Sequence, residues 1–139
     1  MPITDSYVKS AFDKMTGGDI PGVMAMIHDD AEWTVINPKI QSTPLSGMYG
    51  KTTFLPVQGS FFAHLKAPLE WTLNMVVVSG TTGVIQADGR GERKDGKVYF
   101  SPYCWVFEFD SADSPEPKIV KVQSFLDSAL VKEIMESDV

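Results

Sequence analysis

Asp88 is the residue of this sequence best suited to acid–base chemistry. It lies in a β-rich segment, residues 84–109, where the strand period of two places it on one face with Gln86 and Arg90. A carboxylate that loses hydration among aromatic rings holds its proton more tightly, which suits proton transfer near neutral pH. We therefore predict that Asp88 takes up or delivers a proton. The alternatives are that Arg90 neutralises it, or that a bulge turns both side chains outward.

Two phenol groups follow on the second strand of the same segment. Tyr99, Tyr103 and Trp105 share one face by the period of two. A phenol in a dry site donates a hydrogen bond to an oxygen that gains negative charge during a reaction. We predict that Tyr103 acts with Asp88 in catalysis, while Tyr99 and Trp105 contact the substrate. The alternative is that these rings only line a cavity.

This mixture of rings and polar groups predicts a small-molecule pocket, because such pockets combine apolar walls with a few placed polar groups. Gln86 is predicted to contact the substrate, and Trp33 and Tyr49 to supply walls. His64 lies near the end of a predicted helix. It either relays protons at the pocket mouth or provides a favourable charge at the helix C-terminus.

Composition and charge argue against several classes of function. The net charge is −6 and the twelve Lys and Arg residues are scattered, so no nucleic-acid partner is expected. Cys104 is the only cysteine, the two histidines are far apart, and no Gly-rich phosphate cradle is present, so we expect no disulfide, metal or cofactor. No segment resembles a signal peptide or a membrane span, which predicts a cytosolic protein without a membrane partner.

Hydrophobic periodicity predicts helices before strands, in one domain covering residues 1–139. The predicted helices are residues 4–16, a short one capped by Asp19, residues 52–65 and residues 128–135. The predicted strands are residues 32–37, 70–79, the two runs of the 84–109 hairpin, and 118–126. This order indicates an α+β fold in which a curved, mainly antiparallel sheet wraps around the N-terminal helices like a cone.

The opposite face of the second hairpin strand is apolar and carries Pro102, Cys104 and Val106. Val77 and Phe125 are expected to extend this surface on neighbouring strands, and no predicted helix remains to cover it. Because a large exposed apolar surface marks an interface, and twofold pairing buries one simply, we predict a homodimer.

Five segments carry a resemblance to a known family. They are GGD at 17–19, HDDAEW at 28–33, SGMYGK at 46–51, GKVYFSPYCWVFEF at 96–109 and KIVKVQSFLD at 118–127. In this order they resemble the nuclear transport factor 2-like superfamily, and within it the SnoaL-like and ketosteroid-isomerase-related proteins. The resemblance implies a cone-shaped α+β fold, usually homodimeric, with a pocket between the sheet and the first helices.

The catalytic residues of ketosteroid isomerases are replaced in this chain. By resemblance, their tyrosine donor falls at about Ala11, their aspartate base near Val35, and their second acid on Trp105. Asn37 could stand in for the base if the register differs by two positions. Steroid isomerisation is therefore not expected.

Limonene-epoxide hydrolases, which share the implied fold, use an Arg-x-Asp pair and a later aspartate. By resemblance, Asp88 matches the Asp of that pair, whereas Gln86 replaces its Arg and Ser124 replaces the later aspartate. We assign Ser124 to substrate contact. The sequence thus favours a cofactor-free SnoaL-like isomerase, cyclase, dehydratase or hydrolase acting on a largely apolar metabolite. The alternative is a non-catalytic ligand-binding or dimerisation module.

Overall fold

This computed structural model describes residues 3–137 of the chain, which contain four helices and six strands. The helices are α1 (Asp5–Thr16), α2 (Ile20–Met26), α3 (Phe54–Phe62) and α4 (Ser128–Met135). The strands are β1 (Ile27–Val35), β2 (Gly47–Tyr49), β3 (Glu70–Ser79), β4 (Thr82–Glu92), β5 (Val98–Phe109) and β6 (Ile119–Phe125). The predicted α+β class is confirmed.

Side-chain caps explain where the N-terminal helices begin. The Thr4 side chain accepts a hydrogen bond from the backbone N–H of Tyr7 at 3.1 Å, and Gly17 ends α1. Asp19 accepts from the backbone N–H of Gly22 at 3.0 Å at the start of α2. Each cap satisfies a backbone donor that the first helical turn leaves without a partner. Both helices therefore form where the local pattern predicts them.

The structure differs from the sequence prediction in β1, β2 and α3. Strand β1 begins at Ile27 rather than residue 32, because Ile27 pairs with Ile119 of β6 in spite of the exposed polar run that follows. The short strand β2 was not predicted, since three residues are too few for a visible alternation. Helix α3 covers nine residues rather than the predicted 52–65. Pro56 lies in its first turn, where a missing N–H is tolerated, and the helix ends after Phe62 because the backbone of residues 64–66 pairs with residues 92–94.

The six strands form one mixed sheet in the order β2-β1-β6-β5-β4-β3. Strands β1 and β6 pair in parallel, and the other neighbours are antiparallel. One face, the inner face, carries buried residues such as Ile85, Ala87 and Phe107 and is covered by α1, which lies on β3 and β4. The other, the outer face, carries Phe100 and Phe125, both about half exposed.

The register of the β4–β5 hairpin decides which residues meet. Glu92 pairs with Val98, so residues 93–97 form the connection, and Gly96 takes a φ of 88° in it. Because the connection has an odd number of residues, even-numbered positions pair with even-numbered ones. Asp88 therefore lies opposite Pro102 on the outer face, whereas Tyr103 lies opposite Ala87 on the inner face.

Within residues 3–137, none of the helices combines the length and the apolar character needed to cross a lipid bilayer. The cytosolic location stays a prediction from the sequence.

Candidate functional site

A cavity of about 150 Å³ lies between the inner face and the helices. The end of α1 and the apolar side of α2 form one wall, and α3 with the two residues Gly50 and Lys51 forms a second. The sheet forms the floor, with Trp33 from β1, Trp105 from β5 and Ser124 from β6. The cavity is thus built from segments far apart in the sequence.

Aromatic rings dominate the lining. Trp33 stacks on Phe54 with ring centroids 3.6 Å apart and an interplanar angle of 19°. Tyr103 stacks on Trp105 at 5.2 Å, and Trp71 meets Tyr103 edge to face at 4.9 Å. Such packed rings present broad, rigid apolar surfaces. The cavity is therefore suited to a flat apolar molecule.

A pair of phenol hydroxyls lies beside this wall. The hydroxyls of Tyr99 and Tyr103 are 2.6 Å apart, and either can be the donor. Burial raises the pKa of Tyr99, and burial together with the neighbouring Tyr99 raises the pKa of Tyr103 well above its ordinary value. Both phenols are therefore neutral at physiological pH, and Tyr103, which lines the cavity, offers a neutral hydroxyl.

Two other polar groups of the cavity floor form a hydrogen bond with each other. The Trp33 indole Nε1 donates to the Ser124 hydroxyl at 2.7 Å, and both residues are buried. This bond joins β1 to β6 and satisfies the indole N–H, as a buried tryptophan requires. After this bond the Ser124 hydroxyl keeps its O–H donor and one lone pair, and the residue lines the cavity.

Lys51 is the one charged side chain among the described residues that line the cavity. Its ammonium donates to the Ile27 carbonyl at 3.0 Å and to the Asp29 carboxylate at 3.1 Å. No Asp, Glu or His of residues 3–137 lines the cavity. Acid–base chemistry by a carboxylate or imidazole therefore has no group to perform it in the described lining.

The prediction that Asp88 shares the cavity with Tyr103 is wrong in its geometry. Asp88 and Gln86 lie on the outer face, opposite Pro102 and Cys104, and neither lines the cavity. The period of two correctly placed Asp88 with Gln86, but it could not say which face of β5 they would join.

Three further predicted site residues, Tyr49, Tyr99 and His64, do not line the cavity. The Tyr49 hydroxyl donates to the Leu45 carbonyl at 2.7 Å, which ties it to the preceding loop. Tyr99 is fully buried behind Tyr103. His64 follows α3, where its Nδ1 lies 3.4 Å from the Ser137 hydroxyl. Trp33, Tyr103, Trp105 and Ser124 do line the cavity, and their role in binding stays a prediction.

The sequence reasoning missed Trp71 and Lys51. Trp71 and Leu73 alternate with polar residues at the start of β3, a period of two that placed the indole on one face. Its proximity to Tyr103 depends on the pairing of Trp71 with Gly89, which a single strand does not reveal. Lys51 lies in a turn, where no periodic signal exists.

Among residues 3–137, no three His, Cys, Asp or Glu side chains are arranged to hold a metal ion. The polar side-chain groups of the described lining are hydroxyls, three indole N–H groups, two thioethers, one amide and one ammonium, a set that suits an organic molecule rather than a cation.

A protein-family model described as SnoaL-like domain matches residues 8–120. A search among curated proteins finds no match. Many solved structures are similar in fold. An NTF2-like protein of unknown function from Burkholderia pseudomallei is 17% identical, with a TM-score of 0.77, over 97% of this chain and 100% of that one.

Two other similar structures contain small molecules. TerC, co-crystallised with polyporic acid, is 16% identical with a TM-score of 0.70, over 94% of this chain and 95% of its own. A protein with a ketosteroid isomerase-like fold from Catenulispora acidiphila, in complex with trimethylamine, is 12% identical with a TM-score of 0.63, over 90% of this chain and 86% of its own. At these identities the likeness shows the fold alone.

Proposed function

This chain belongs to the SnoaL-like domain family, and we propose that it binds a small, flat, largely apolar molecule in the cavity. The observation that carries the proposal is the lining, in which Trp33, Trp71 and Trp105 surround the space while the described residues supply neither a carboxylate nor an imidazole. Binding needs only these walls and a few hydrogen-bonding groups. General acid–base catalysis needs a titratable group within reach of the substrate, and the described lining offers only the Tyr103 phenol and the Lys51 ammonium for it.

The size of the cavity supports a ligand with one ring inside it. An apolar cavity of about 150 Å³ stays dry and accepts a benzene-sized molecule, and this cavity has about that volume. Lys51 and Gln58, the polar lining residues of the α3 side, are available to contact a polar substituent of the ligand. The complex of TerC with polyporic acid is an example of a protein of similar fold with an organic acid bound.

The proposal predicts that a neutral one-ring probe, hydrocinnamamide, quenches the fluorescence of the cavity tryptophans in a saturable titration. Trp105→Ala removes a wall and should weaken binding about tenfold or more, while lowering the free energy of unfolding by about 3–5 kcal/mol. Phe125→Ala is the control, since this ring lies on the outer face. It should leave affinity within about twofold. Absence of saturable quenching in the wild type would contradict the proposal.

A second candidate function is cofactor-free catalysis in which the Tyr103 hydroxyl stabilises an oxyanion. The paired hydroxyls at 2.6 Å favour it, because Tyr99 can donate to Tyr103 while Tyr103 donates to a substrate carbonyl. The base would have to come from water or the substrate. Exchange of the α-hydrogens of 2-indanone in D₂O separates the candidates: faster exchange with wild type than with Tyr103→Phe supports catalysis, and equal rates leave binding alone.

We also propose a homodimer formed through the outer face. Met75, Val77, Phe100 and Phe125 are all about half exposed there, and Pro102 lies among them. Charges of both signs, including Asp88 and Arg90, flank this apolar area, so a second copy can oppose it without an excess of one sign.

A further inference from the structure

We propose that the molecule bound in the cavity carries a carboxylate, and that Lys51 is the residue that selects it. This inference rests on the proposed ligand-binding function and names the chemical class of the ligand. Lys51 lines the cavity with a side chain that is only 22% exposed. An ammonium held partly out of water beside an apolar space attracts an anion more strongly than one in bulk solvent does.

The hydrogen bonds of Lys51 leave room for a ligand. An ammonium has three N–H groups. One donates to the Ile27 carbonyl and one to the Asp29 carboxylate, and within residues 3–137 the third has no partner. The Ile27 carbonyl fixes the ammonium at the start of β1, so its position beside the cavity is set before a ligand arrives.

Asp29 neutralises Lys51 incompletely. The Asp29 side chain is 92% exposed, so water screens its attraction to the Lys51 ammonium. The ion pair therefore contributes little to stability. The hydrogen bond and charge of Lys51 lower the pKa of Asp29, which keeps this carboxylate ionised but well hydrated. A ligand carboxylate that approaches from the apolar side would meet the same ammonium with less water around it, so the attraction between the two charges would be stronger than the screened attraction of Asp29.

Gln58 provides a second polar contact on the same wall. It lines the cavity, is half-buried, and its side-chain amide has no hydrogen-bond partner within residues 3–137. The amide N–H₂ can donate to a carboxylate oxygen while Lys51 binds the other oxygen. Phe54 and Leu55, between the two in sequence, line the cavity beside them and supply apolar contact.

The charge of the lining separates this ligand class from the opposite one. Tryptophan faces also attract cations such as alkylammonium groups. A cation in this cavity would, however, enter beside the Lys51 ammonium, and no described lining residue offers a carboxylate to compensate. The lining thus favours an anion over a neutral molecule, and a neutral molecule over a cation.

The test uses three probes with one carbon skeleton and different charge: hydrocinnamate, hydrocinnamamide and 3-phenylpropylamine. Titration calorimetry with the wild-type protein should give the tightest binding for the acid, about tenfold tighter than the amide, and the weakest for the amine. Lys51→Met should reduce the affinity for the acid to that for the amide while changing the amide affinity less than about twofold.

Two further variants keep the test informative if Lys51→Met is unstable. Asp29→Asn removes the competing carboxylate and should strengthen binding of hydrocinnamate, the opposite direction from Lys51→Met. Lys66→Met is the matched control, because Lys66 pairs with Glu92 at 2.8 Å and does not line the cavity. It removes the same charge and should leave all three affinities unchanged.

The outcomes distinguish this inference from the function on which it rests. Equal affinity for acid and amide in the wild type, or a preference for the acid that persists in Lys51→Met, would overturn the role of Lys51 while the cavity remains a binding site. If none of the three probes binds, both the inference and the proposed function fail.

Discussion

At the scale of single residues, burial governs both the hydrogen bond and the pKa values of the Tyr99 and Tyr103 hydroxyls. Tyr99 is fully buried and Tyr103 is 7% exposed, so each hydroxyl has the other as its main partner in place of water. Removing one hydroxyl leaves the other without that partner, at a cost of about 1–3 kcal/mol, whereas removing both is nearer neutral. The pair is therefore a coupled unit.

Ionisation of this pair should destabilise the protein at alkaline pH. In the unfolded chain both phenols lose their protons near pH 10, about their ordinary pKa, whereas burial raises the pKa of both in the folded state. The folded state then binds more protons, so stability is complete below about pH 10 and decreases as the pH rises above it. Urea midpoints at about pH 8 and about pH 11 should fall further for the wild type than for Tyr99→Phe/Tyr103→Phe.

Tyr7 and Tyr49, whose pKa values are also raised by burial, remain in the double variant and act as an internal control. Equal losses of stability in the two proteins would show that the Tyr99–Tyr103 pair does not resist ionisation.

At the scale of elements, Gly83 is a point of close contact between α1 and the sheet. A Cβ at this position would lie 2.7 Å from Val8 Cγ2 and 3.0 Å from Cγ1. Val8 is fully buried, so its side chain has no free space into which to move. The absence of a side chain at Gly83 allows α1 to lie against β4, and Phe12 of the same helix then meets Trp71 and Trp105 above the cavity.

Gly83→Ala should therefore lower the free energy of unfolding by about 1–3 kcal/mol through steric overlap. In a Val8→Ala background the added methyl group fills space instead, and the further cost should fall to about 1 kcal/mol or less. Gly59→Ala, in α3 with nothing near the added Cβ, is the control and should stabilise by about 0.5–1 kcal/mol. Additive effects of the Gly83 and Val8 changes in urea unfolding would contradict this packing.

At the scale of the whole molecule, the two faces of the sheet have different partners. Helices and the cavity occupy the inner face, while the outer face has no helix over it among the described elements. Its exposed residues Met75, Val77, Phe100 and Phe125 form an apolar area of the kind that proteins cover by association.

The proposed homodimer predicts a mass of two chains by light scattering at micromolar concentration. Phe125→Glu places a charge in the apolar area, where it would be desolvated in the dimer, and should yield a monomer. Ile40→Glu makes the same type of change at a side chain that is 69% exposed in the loop after β1, and should leave the dimer intact. A monomeric wild type would refute the dimer without affecting the cavity.

The sequence by itself determined the features that depend on neighbours along the chain. Caps and periodicity located α1, α2 and α4, and alternation in β5 placed Tyr99, Tyr103 and Trp105 on one face. These predictions succeeded because helix caps and strand alternation are set by residues a few positions apart.

Only the tertiary structure decided which of these faces meet. The register of the β4–β5 hairpin puts Asp88 on the outer face, and a shift of one residue in that register would have put it beside the tyrosines. The pairing of β3 with β4 places the Trp71 ring against Tyr103. The hydrogen bond from the Lys51 ammonium to the Ile27 carbonyl holds Lys51 at the start of β1. A local pattern shows which side chains share a face, but the cavity depends on contacts between distant segments, and those follow from register and packing.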